Sequence, residues 1–71
     1  MYSAELLFSK HLRKLRKNSN LTQEKLAEKA GIEYKYVQML EGKKPPSPTL
    51  RTLTKIAKAL EMQAWELIRF D

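Results

Sequence analysis

The chain contains no cysteine and only two glycines and three prolines among its 71 residues. Without cysteine, neither a disulfide framework nor a thiolate metal site can support the fold, so stability must come from packing. A domain of this size buries only about 60% of the surface that its unfolded chain exposes. We therefore expect one domain over residues 1–71. Because so small a domain is only marginally stable, a second subunit would add to its stability.

Residue types that carry catalysis are equally scarce. His11 is the only histidine and Asp71 the only aspartate. This composition leaves no catalytic triad, no metal-ligand set and no glycine-rich loop for phosphate. We therefore predict that the protein is not an enzyme, that it needs no metal or other cofactor, and that His11 is a packing or surface residue.

Long apolar runs are absent as well. None approaches the roughly 18 residues of a transmembrane helix, and the N-terminus lacks the pattern of a secretory signal. The sequence thus predicts a cytoplasmic protein with no membrane partner, and nothing in it indicates a small-molecule ligand.

Positive charge, by contrast, is abundant: 14 Lys and Arg against eight Asp and Glu give a net charge of +6. Among the first 20 residues, Glu5 alone opposes five basic residues, which are Lys10, Arg13, Lys14, Arg16 and Lys17. Basic patches attract phosphate backbones, so a polyanion is a candidate partner. A basic surface that faces only water is the alternative.

Apolar residues recur at helical spacing, and no segment has the alternation of a strand. We predict helices over about Ala4 to Asn18, from an N-cap at Thr22 to Gly31, and over about Glu33 to Glu41. A fourth helix should follow Ser47 as N-cap with Pro48 in its first turn, and a last one should cover about Gln63 to Arg69. The predicted fold class is all-α, a compact five-helix bundle.

The predicted inward faces are amphipathic stripes. They comprise Phe8, Leu12 and Leu15 in the first helix, Leu26, Ala27 and Ala30 in the second, and Leu50, Leu53, Ile56, Ala57 and Leu60 in the fourth. In the third helix Val37 and Leu40 would point inward, whereas Tyr34, Lys35 and Gln38 would point outward. Exposing these three side chains to water adds little to the stability of the protein, whereas together they could contact a partner in a groove.

Two stretches resemble a known family. LTQEKLAEKAGIEYKYVQMLEGKK, residues 21–44, resembles the helix-turn-helix unit of the Xre/Cro-like repressors, and PTLRTLTKIAKALEMQAWELI, residues 48–68, resembles the helices that follow it. Gln23, Ala27, Gly31, Val37 and Leu40 all fall in the family's register. The resemblance spans roughly residues 6–68 and implies a lambda-repressor-like DNA-binding domain with its helix-turn-helix at about residues 22–41.

The resemblance also implies roles for individual residues. The third helix would be the recognition helix, lying in the major groove of double-stranded DNA. Its base-contacting residues would be Glu33, Tyr34, Lys35, Gln38 and Met39. The phosphate-contacting residues would be Gln23, Tyr36, Lys43, Lys44 and Arg51. Similar proteins place a salt bridge where Arg16 and Glu41 stand, between the first helix and the end of the third.

The sequence departs from the family pattern after the third helix. Gly42 follows Glu41 directly, and KKPPSP is about one residue longer than usual. Glu61 stands where the family has a glycine, and Gln63 stands where it has a serine cap. Trp65 occupies a commonly polar position, so we predict a twofold dimer contact formed by Met62, Trp65 and Phe70. We expect Leu67 and Ile68 to close the core.

The favoured hypothesis is a sequence-specific transcriptional regulator that binds double-stranded DNA as a homodimer on a pseudo-palindromic operator. Small proteins of this kind resemble restriction-modification controller proteins, phage repressors and antitoxins, and the sequence does not choose among them. The alternative is a protein–protein module, antitoxin-like or coactivator-like, because a helix-turn-helix fold alone does not guarantee DNA binding.

Overall fold

The structure, a computed structural model, describes residues 3–69, which form five α-helices and no strand. The helices are α1 (Ala4–Asn18), α2 (Gln23–Ala30), α3 (Tyr34–Leu40), α4 (Leu50–Ala59) and α5 (Ala64–Leu67). The predicted all-α, five-helix class is thus confirmed. None of these helices has both the length and the apolar character to cross a membrane. The predicted dimer contact of Phe70 lies outside the described residues.

Three of the helices begin at a hydroxyl side chain that accepts a hydrogen bond from the backbone. Ser3 accepts from the N–H of Leu6 at 3.2 Å, and Thr22 accepts from the N–H of Lys25 at 3.0 Å. Thr49 caps α4 in the same way. Each bond satisfies a donor that the first helical turn leaves unpaired. The predicted cap at Thr22 is therefore confirmed.

α1, α2 and α4 end in one common geometry. A residue just beyond the helix takes the left-handed conformation, with φ of 59° at Asn20, 70° at Gly31 and 58° at Glu61. The N–H of the next residue then donates to the carbonyl five positions earlier, at 2.9 to 3.2 Å. In each case that next residue is apolar and packs against the core: Leu21, Ile32 and Met62. These are Schellman caps, and they turn the chain back on itself.

All five helices contribute to one core. Its completely buried side chains belong to Leu12, Leu26, Val37, Leu40, Ile56 and Leu67. Ala27 and Ala30 of α2 are buried as predicted, and their small side chains allow α3 to approach closely. The helix-turn-helix therefore shares one core with α1, α4 and α5.

The start of α4 differs from the prediction. Thr49 rather than Ser47 is the N-cap, and the helix begins at Leu50, so Pro48 precedes the cap. The Ser47 hydroxyl instead donates to a carboxylate oxygen of Glu5 at 2.6 Å, which ties the loop to α1. Both hydroxyl residues are good caps, and this tertiary contact decides between them.

α5 is shorter than the predicted range of Gln63 to Arg69. It has a single turn, and Glu66 accepts a hydrogen bond from the Gln63 N–H at 2.7 Å. Leu67 is completely buried, as predicted, but Ile68 is 53% exposed because the helix has already ended. The predicted inward position of Leu50 is also wrong, since this first residue of α4 is 80% exposed.

Candidate nucleic-acid interface

The turn between α2 and α3 consists of residues 31–33. Gly31 supplies the left-handed conformation, and Glu33 precedes α3 in extended conformation without a side-chain hydrogen bond to the helix. The predicted bounds of α3, Glu33 and Glu41, are its two flanking residues rather than its ends. The Glu33 carboxylate is consequently exposed at the start of the helix.

The two sides of α3 differ sharply in burial. Val37 and Leu40 are fully buried and hold the helix against the core. On the other side, Tyr34 is 44% exposed, and every residue predicted to contact bases is exposed: Glu33, Tyr34, Lys35, Gln38 and Met39. Packing on one side thus leaves a polar and aromatic surface available on the other.

The far end of α3 is held by the ion pair expected between Arg16 and Glu41. Arg16 Nε donates to Glu41 Oε2 at 2.7 Å and Nη2 donates to Oε1 at 3.0 Å, so the pair is bidentate. The two side chains are 9% and 2% exposed. Arg16 Nη1 also donates to the Leu21 carbonyl at 2.7 Å. The guanidinium therefore joins α1, the α1–α2 turn and the end of α3.

Gln23 belongs to the same network, which the sequence did not predict. Its Nε2 donates to Glu41 Oε1 at 3.0 Å, and the side chain is half-buried. This bond uses one amide N–H and leaves the second N–H and the amide oxygen for other partners. The start of α2 and the end of α3 are consequently linked through one carboxylate.

Members of this network line two clefts. The first, here called the Gln23 cleft, is lined by Arg13, Arg16, Thr22, Gln23, Glu24 and Tyr34. The second, here called the Lys43 cleft, is lined among others by Lys10, Arg13, Glu41, Gly42 and Lys43. Tyr34 and Gln23, predicted to contact a base and a phosphate respectively, thus share a cleft.

The remaining predicted contacts are more scattered. Lys44 and Arg51 are exposed but line neither cleft. Tyr36 is half-buried with its side chain packed against the core, which leaves only part of it accessible. Of the predicted dimer residues, Met62 packs partly against the core, whereas Trp65 is 56% exposed. The Arg69 guanidinium carbon lies 5.9 Å from the centre of the Trp65 ring, a cation–π distance.

Among residues 3–69, no group of three or more histidine or acidic side chains is arranged to hold a metal ion. His11, half-buried, lies with Nε2 2.8 Å from the Glu66 carbonyl oxygen and so joins α1 to α5. This contact agrees with a packing role for the single histidine.

Comparison with known proteins adds independent information. A family model described as helix-turn-helix matches residues 12–63. The chain is similar to the restriction-modification controller protein C.AhdI from Aeromonas hydrophila, with 33% identity, a TM-score of 0.86, and 93% of this chain and 98% of that chain covered. It is also similar to the hypothetical transcription factor NHTF from Neisseria, with 30% identity, a TM-score of 0.82, and 90% and 71% covered. No curated protein sequence is significantly similar to it.

Proposed function

Because this chain belongs to the helix-turn-helix family, we propose that it is a transcriptional regulator that binds double-stranded DNA in a sequence-specific manner. The observation that carries the proposal is the exposed face of α3 on a helix anchored by Val37 and Leu40. A rigid helix with a polar outer face is what major-groove recognition requires. The ion pair of Glu41 supports it further, because it restrains the far end of that helix.

We propose that the outer face of α3 reads bases. The Gln38 amide is both a donor and an acceptor and can pair with adenine, whereas Lys35 can donate to the acceptors of guanine or to a phosphate. Glu33 can accept from cytosine and would repel phosphate. Met39 and the Tyr34 ring offer apolar surface to a thymine methyl group. Tyr34 also lines the Gln23 cleft, and its hydroxyl can donate to a phosphate.

The phosphate contacts are proposed for Gln23, Lys43, Lys44, Arg51 and the Tyr36 hydroxyl. The position of Lys43 supports its role, because it lines a cleft that also contains two other basic side chains. Lys43→Ala should weaken binding to all duplexes alike and flatten the dependence of log K on log salt by about one unit. An unchanged slope would remove Lys43 from the phosphate contacts.

The active species is proposed to be a homodimer on a pseudo-palindromic operator, with half-sites about one helical turn apart. Trp65 of α5 and Ile68, the residue that follows the helix, are both exposed apolar side chains, and we infer that they contribute to a twofold contact. Analytical ultracentrifugation at micromolar concentration tests this. A strict monomer in free solution that binds DNA as one chain per site would contradict it.

Of the three kinds of small regulator left open above, a restriction-modification controller protein has the most support. The two chains align over almost their entire lengths with C.AhdI at one third identity. Control of a restriction-modification system is accordingly the biological role that we propose for this chain.

Selection of bound sites from a pool of random duplexes is the most direct experiment. We expect enrichment of a pseudo-palindrome, with affinity that falls steeply as salt rises because counterions are released from phosphates. Absence of any enriched site, together with salt-insensitive binding to another protein, would favour the protein–protein module instead.

A further inference from the structure

Of the basic residues on α1, Arg13 alone lines both clefts. It follows the buried Leu12 and precedes Arg16 by three positions, so it projects from the side of α1 that faces the helix-turn-helix. Its side chain is exposed and makes no hydrogen bond or ion pair with any other residue between positions 3 and 69. A cation thus lies between the two clefts with its charge not neutralised by the protein.

The charges around Arg13 favour an anion there. Glu41, which lines the Lys43 cleft, already neutralises Arg16 through the bidentate pair. Lys10 and Lys43 line that same cleft. Glu24 is the only acidic residue that lines the Gln23 cleft, which Arg13 and Arg16 also line. The junction of the clefts therefore has a net positive charge, which complements a phosphate backbone.

We propose that Arg13 binds a DNA backbone phosphate at the junction of the two clefts, so that one strand runs continuously across α1 from Gln23 to Lys43. A guanidinium suits this role because its planar donors can form two parallel hydrogen bonds to one phosphate. The contact would position the protein on the duplex without reading sequence. This inference rests on the proposed DNA binding and adds a contact that the family resemblance did not assign.

The test measures binding of the full chain to a selected duplex and to an unrelated duplex between 50 and 200 mM salt. Arg13→Gln removes the charge, and Lys14→Gln is the matched control: it removes an equal charge from the adjacent exposed position, which lines neither cleft. Loss of one phosphate contact reduces the slope of log K against log salt by about 0.9 and weakens binding roughly eightfold at 0.1 M salt. We expect this from Arg13→Gln on both duplexes, and less than about a twofold change from Lys14→Gln.

Arg13→Lys provides a second measurement, since it keeps the charge and should retain the wild-type slope while losing the bidentate geometry. Circular dichroism would verify that all three variants keep their helices, as expected for exposed positions. If Arg13→Gln and Lys14→Gln had equal effects while the wild-type chain bound DNA, the phosphate contact of Arg13 would be overturned and the proposed function would stand. A wild-type chain that binds neither duplex would overturn the proposed function and this contact with it.

Discussion

Removing one partner of the Arg16–Glu41 pair should cost far more stability than most surface substitutions. Glu41→Gln keeps the shape of the side chain but leaves the Arg16 guanidinium without its counter-charge. The pair is bidentate and its side chains are 9% and 2% exposed. Breaking such a buried pair typically costs about 3–5 kcal/mol. An exposed pair would contribute only about 0–1 kcal/mol.

The expected change is large enough for thermal unfolding to resolve it. A domain of 71 residues has an unfolding entropy of about 150 cal/mol/K, so each 1 kcal/mol lowers Tm by roughly 7 °C. A loss of about 3 kcal/mol therefore lowers Tm by about 20 °C. Circular dichroism would follow the transition at one fixed protein concentration, because any dimerisation makes Tm depend on concentration.

A double variant separates the charge effect from packing. Arg16→Met together with Glu41→Leu replaces both charges with apolar side chains of comparable size, and such replacements are often neutral for stability. We expect the double variant to be more stable than Arg16→Met or Glu41→Leu alone, with a coupling energy between the two substitutions of more than about 1 kcal/mol. A single variant that loses less than about 1 kcal/mol would refute the reasoning, because the pair would then behave as an exposed one.

The remaining predictions concern base reading, backbone geometry and one carboxyl group. Gln38→Ala should lose about 1–3 kcal/mol on the selected site and relax preference at one base pair in a competition assay; equal loss on every duplex would contradict its role. Glu61 and Gly31 both have left-handed backbone conformation, which glycine adopts without strain and residues with a Cβ do not. Glu61→Gly should therefore raise the free energy of unfolding by about 0.5–1 kcal/mol, and Gly31→Ala should lower it by about 1 kcal/mol. Urea unfolding of the two variants would show these opposite signs. The hydrogen bond from the Ser47 hydroxyl lowers the pKa of Glu5 in the folded protein. This bond therefore stabilises the fold at pH values above the ordinary glutamate pKa, and the stabilisation is lost as the pH falls through the lowered pKa. Ser47→Ala should raise that pKa in an NMR titration, and an unchanged pKa would count against the bond.

The elements that the sequence predicted well depend on local signals. Apolar spacing marks the inward faces of α1 and α2, and the Thr22 cap and Gly31 mark the ends of α2 through short-range backbone chemistry. Val37 and Leu40 follow from the helical repeat once the start of α3 is known. These interactions span few positions, so one sequence contains enough information to locate them.

The elements that the sequence predicted poorly depend on contacts between distant positions. Ser47 was expected to cap α4, but it bonds to Glu5, 42 positions earlier. Gln23 was expected to contact phosphate alone, and nothing local indicates its bond to Glu41, 18 positions later. Glu61 stands where a glycine would have indicated the end of α4, yet its backbone has the same left-handed geometry as Gly31. Backbone conformation there is imposed by packing of the next residue rather than by the residue itself.

Glu41 connects the two kinds of DNA contact proposed here. Its carboxylate bonds to Arg16 of α1 and to Gln23 of α2, while its own backbone closes α3. The helix proposed to read bases and a side chain proposed to hold phosphate are therefore positioned by one buried group, which keeps them in fixed register. A base contact needs that register, because a shift of about one ångström breaks a hydrogen bond to a base edge. It follows that weakening this carboxylate should reduce both sequence preference and overall affinity, whereas a change on the outer face of α3 should reduce sequence preference first.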